Sequence, residues 1–83
     1  MGKKEKLISR LKSKPRDFTF DEMEALLLSL GFKKCKAGKT SGSRVRYIRN
    51  GVLVLLHKPH PGNILKPYQI REALSVLRKE GLI

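Results

Sequence analysis

Asn50 and Gly51 stand between two strand-like runs, Val45 to Ile48 and Val52 to Leu56. A two-residue turn needs φ above zero at both of its positions. Asparagine and glycine tolerate that best, so the pair predicts a tight antiparallel hairpin. Such a turn also sets the register. Arg49 faces Val52, Tyr47 faces Val54, Val45 faces Leu56 and Arg44 faces His57. Side chains alternate between the two faces of a strand. Val45, Tyr47, Val54 and Leu56 are therefore expected on the core face. Arg44, Arg46 and His57 share the other face with Ile48, Leu53 and Leu55.

The remaining elements follow from local signals. Residues 3–13 have the composition of a short basic helix ended by Pro15. Thr19 and Glu22 have the spacing of a capping box, and Phe18 and Met23 that of a hydrophobic staple. Met23, Leu26, Leu27 and Leu30 recur at helical spacing, and Gly31 stops that helix. Phe32 to Ala37 reads as a polar strand, and Gly38 to Ser43 as a loop. Pro59, Pro61 and Gly62 mark a second loop. Pro67 opens a last helix whose buried face is Ile70, Ala73, Leu74 and Leu77, with Gly81 as its stop. The fold class is α+β: a three-stranded antiparallel sheet with two helices on one face, plus the short N-terminal helix. Residues 1–17 are expected to be a solvated basic extension and 18–83 the folded domain.

Charge then narrows the function. Nineteen Lys and Arg against seven Asp and Glu give a formal charge of +12 in 83 residues. No acid lies between Glu24 and Glu72, a gap that holds ten Lys or Arg and both histidines, His57 and His60. Such a segment attracts phosphate groups and presents to them the one side chain that titrates near neutrality. RNA cleavage without a metal needs a base for the 2′-hydroxyl, positive charge at the phosphorus and an acid for the leaving oxygen. His57 and His60, with Arg44, Arg46 and Lys58, supply those types within a short stretch. A guanidinium beside His57 would favour the neutral imidazole, the form that acts as a base. Lys39 and Ser43 belong to a small-residue loop whose backbone N–H groups can cradle a phosphate. The same residues also suit RNA binding without chemistry, and a basic DNA-binding or ribosome-associated protein is a third reading.

Other classes fit poorly. Gly38-Lys39-Thr40 resembles the end of a P-loop, but position 33, where that motif needs glycine, is Lys33. Two histidines with one distant cysteine, Cys35, make a poor metal set, so no metal or cofactor is expected. A single cysteine permits no internal disulfide and suits a reducing cytoplasm. Met1 to Pro15 contains no apolar run of the kind a signal peptide needs, and Val52 to Leu56 is too short to span a bilayer. No membrane partner is expected.

The segment from Phe20 to Ile83 resembles the HicA toxin family. The likeness rests on Leu30-Gly31-Phe32 closing an amphipathic helix, Gly42-Ser43 opening the second strand, Pro-His-Pro-Gly-Asn from Pro59 to Asn63, and Leu65-Lys66-Pro67 leading into the last helix. The resemblance implies a double-stranded-RNA-binding-domain-like order, α-β-β-β-α. It also implies cleavage of mRNA (an mRNA interferase) and neutralisation by a HicB-type antitoxin. Many members carry a catalytic histidine directly after the Gly-Ser pair, where this chain has Arg44. In the predicted register His57 lies opposite that position and offers a replacement imidazole.

Overall fold

A computed structural model describes residues 2–35, 44–58 and 62–83, with the Arg44 side chain outside the description. The element order is α1 (Lys3–Lys12), α2 (Phe20–Ser29), β1 (Lys33–Cys35), β2 (Arg44–Arg49), β3 (Val52–His57) and α3 (Pro67–Lys79). After α1 the order is α-β-β-β-α, as expected. The strands form one antiparallel sheet in the order β1-β2-β3.

The hairpin register is the one the turn dictates. Arg49 pairs with Val52, Tyr47 with Val54, Val45 with Leu56 and Arg44 with His57. Asn50 and Gly51 both adopt positive φ, 48° and 78°, as a turn matched to strand twist requires. The faces also alternate as predicted. Tyr47, Val54 and Leu56 are buried, whereas Ile48, Leu53 and Leu55 remain exposed at 39%, 52% and 40%. β1 adds three residues on the far side of β2, with Lys34 opposite Tyr47.

The helices cover the other face. Thr19 caps α2 with a reciprocal capping box: its hydroxyl accepts from the Glu22 N–H, and the Glu22 carboxylate accepts from the Thr19 N–H. The staple residues Phe18 and Met23 are both fully buried. The strand-like segment before α3 pairs with the residues just before α2. Phe20 N–H donates to the Asn63 carbonyl at 2.7 Å, and Leu65 N–H to the Phe18 carbonyl at 2.9 Å. This two-sided latch fixes where α3 begins.

One expectation fails. The N-terminal helix is not a solvated arm. Leu11 is fully buried in the core cluster, with Leu7 and Ile8 packed against it, and α1 contacts both α2 and α3. Arg10 holds its other side: Nε donates to Glu22 at 2.8 Å and Nη2 to Asp17 at 3.0 Å. The guanidinium also lies 5.6 Å from the centre of the Phe18 ring. Three apolar residues on a basic helix are enough once a hydrophobic groove is available to receive them.

Candidate functional site

β3 ends at His57, and two structural facts place that residue. The alternation along β3 puts its side chain on the open face with Leu53 and Leu55. Its backbone N–H, on the outer edge of the sheet, donates to the Gln69 side-chain oxygen at 2.8 Å. Gln69 is only 4% exposed and is the one buried polar side chain among the described residues. A buried amide needs a partner, and this one takes a strand-end N–H that the ladder leaves unused. Helix α3 thus holds the end of β3 in position. His57 itself is half-buried.

The other expected site residues distribute unevenly. Arg46 is exposed on the same face as His57, opposite Leu55 in the register. Arg44 is the backbone partner of His57. Lys58, grouped with the histidines by sequence, is exposed and its charge reaches Glu24 on α2, across the sheet from the open face. His60, Lys39, Ser43 and the Arg44 side chain lie outside the described residues. The open face near His57 therefore combines a partly shielded imidazole, an exposed guanidinium and a stripe of exposed aliphatic side chains. Among the described residues no group of three His, Cys, Asp or Glu could hold a metal ion. No described helix is long and apolar enough to cross a membrane.

Sequence reasoning did not find two of the contacts that build this frame. One is Gln69 with His57. The other is a cluster under the sheet, in which the buried Tyr47 hydroxyl donates to Glu24 and Lys34 lies 3.1 Å from the same carboxylate. The Tyr47 hydrogen bond, then Lys34, hold the Glu24 carboxyl below its usual range despite partial burial. Burial first, then Glu24, push the Tyr47 hydroxyl up. The cluster ties α2 to β1 and β2. Tyr47→Phe is expected to cost about 1–3 kcal/mol at neutral pH, because a partly buried carboxylate loses a charge-assisted partner. A carboxyl held low in the folded state stabilises above its unfolded value, near 4.5, and that contribution disappears as pH falls through the folded value. The gap between wild type and Tyr47→Phe in urea titrations should therefore narrow below about pH 4. A gap that stays constant down to acid pH would exclude this linkage.

The α-β-β-β-α order, with a cationic open face at the end of the hairpin, defines a toxin-type component of a toxin–antitoxin pair once the comparison with known families is added. The profile of a family described as "HicA toxin of bacterial toxin-antitoxin" matches residues 20–81. The chain belongs to the HicA toxin family. Comparison with curated proteins and with solved structures yields no match. The matched span begins at α2, so α1 and the turn after it lie outside it.

Proposed function

We propose that this chain is an endoribonuclease of the mRNA interferase type, acting in the cytoplasm and neutralised by a HicB-type antitoxin. The observation that carries this reading is the placement of His57: on the open cationic face, opposite Arg44 in register, with its backbone held by Gln69. In the proposed step, neutral His57 takes the proton of a ribose 2′-hydroxyl. The resulting oxyanion attacks the adjacent phosphorus, and the bond to the 5′-oxygen breaks as that oxygen gains a proton from His60. Arg44 and Arg46 offset the charge that builds on the phosphoryl oxygens. The products are a 2′,3′-cyclic phosphate and a 5′-hydroxyl. Lys39 and Ser43 would bind flanking phosphates. Ile48, Leu53 and Leu55, exposed beside Arg46, suit an antitoxin surface that pairs apolar residues with acids.

The test compares one sequence as RNA, as DNA and as 2′-O-methyl RNA. The expected result is cleavage of the RNA alone, with cyclic phosphate at the new 3′ ends, since the other two strands lack the nucleophile. A second reading, RNA binding without cleavage, draws on Arg44 at the position where many family members have histidine. It predicts that all three strands stay intact while still binding.

A further inference from the structure

The side of the molecule away from the open sheet face carries a cationic cleft that the reading above does not use. Two adjoining hollows of about 170 and 250 Å³ share Lys14 and Arg71 as walls. The first adds Arg16 over a floor of Pro15, Pro67 and Ile70. The second adds Ser75 and Arg78 over Leu74. One wall is thus the turn that follows α1, and the other is a face of α3. No acidic side chain lines either hollow. None of the four cations forms an ion pair among the described residues; the one acid beside this turn, Asp17, is taken by Arg10.

Two further features point to a ligand. Lys14 has φ of 51° and closes α1 through its N–H to the Leu11 carbonyl at 2.9 Å. That left-handed position is one glycine fills at least cost, and a lysine there costs on the order of 1 kcal/mol. The backbone gives no reason for lysine at this point, whereas the cleft does. On α3, Arg71, Ser75 and Arg78 fall on one helical stripe. Seven residues at about 1.5 Å each separate the two guanidinium groups by roughly 10 Å along the axis. That distance spans about three phosphates of a stacked strand at roughly 3.4 Å per nucleotide.

We propose that this cleft binds the sugar-phosphate backbone of the RNA outside the cleavage site, so that the segment outside the family match completes a second contact surface. The inference rests on reading the chain as an RNA-binding protein. Gln69, which holds the end of β3, precedes Arg71 by two residues on α3. Two residues turn about 200° around a helix, so the cleft faces away from the end of β3 and would hold a length of strand separate from the one at His57. Arginine suits this role because its planar fork takes two phosphate oxygens at once, and the Ser75 hydroxyl adds a donor.

The test uses the full chain and a fluorescent single-stranded 2′-O-methyl RNA, which binds but cannot be cut. The triple substitution Lys14→Gln, Arg71→Gln, Arg78→Gln is compared with Lys3→Gln, Lys4→Gln, Lys6→Gln, which removes the same charge from exposed positions on α1. If each cleft cation neutralises one phosphate, the slope of log K against log salt falls by about 0.7 per contact, or about 2 in all. Affinity at about 0.1 M salt then drops on the order of 100-fold. The control triple should keep the wild-type slope. Equal losses in both triples would reduce the effect to net charge and overturn the proposal. So would a cleft triple that keeps the RNA slope but loses affinity for polyglutamate, which would assign the cleft to an acidic protein. Binding is the readout, so a wild-type protein that binds without cutting sinks the catalytic reading alone. A wild-type protein without salt-dependent RNA affinity sinks both.

Discussion

Leu11→Ala is expected to lower the stability of the protein by about 2–5 kcal/mol. The side chain is fully buried among core residues, so the substitution removes its transfer free energy and leaves a cavity where α1 meets α2 and α3. A chain of 83 residues shifts its melting temperature by about 4–8 °C per kcal/mol. The drop should therefore be at least about 8 °C in a thermal circular-dichroism scan, against a native stability of only about 5–15 kcal/mol. Lys12→Ala, on the exposed side of the same helix, should move the midpoint little. A small shift for Leu11→Ala would mean that α1 detaches at little cost and that the cleft it helps to wall is not a fixed feature.

His57→Ala is expected to reduce the rate of RNA cleavage by about 10²–10⁴-fold, the usual contribution of a positioned general base. The fold should survive. The hydrogen bond to Gln69 comes from the backbone N–H of residue 57, which alanine retains, and the imidazole is only half-buried. Affinity for uncleavable RNA should stay within about threefold, since Arg44 and Arg46, which carry the phosphate contacts in the proposed reading, are retained. Cleavage at the wild-type rate in His57→Ala would remove this imidazole from the mechanism and shift attention to His60 or to Arg44.

Much of the fold was legible because its signals are local. The Asn50-Gly51 turn specifies a register that a single extra residue would have inverted, and the observed pairing follows it through all six positions from Arg44↔His57 to Arg49↔Val52. The Thr19 capping box and Pro67 likewise mark helix starts within a few residues of sequence. What escaped depends on how elements meet. Leu7, Ile8 and Leu11 look sparse among seven basic residues, and their burial is decided by the groove that α2 and α3 present. Glu24 and Tyr47 are far apart in sequence, and nothing in the pattern of either element says that one lies over the other. Gln69 looks like an ordinary polar residue at the start of a helix until the outer edge of β3 arrives beside it. Lys58 was grouped with His57 by adjacency, although strand alternation already sends successive side chains to opposite faces.

The bond from Gln69 to the end of β3 also bears on self-association. An outer strand with unused N–H groups is a template on which another extended chain can add itself. Here the donor at residue 57 is already occupied by a buried amide. Addition of a further strand at that end of β3 is thus discouraged. A protein so rich in positive charge, with bare aliphatic side chains on its open face, can then remain dispersed until a partner covers that face.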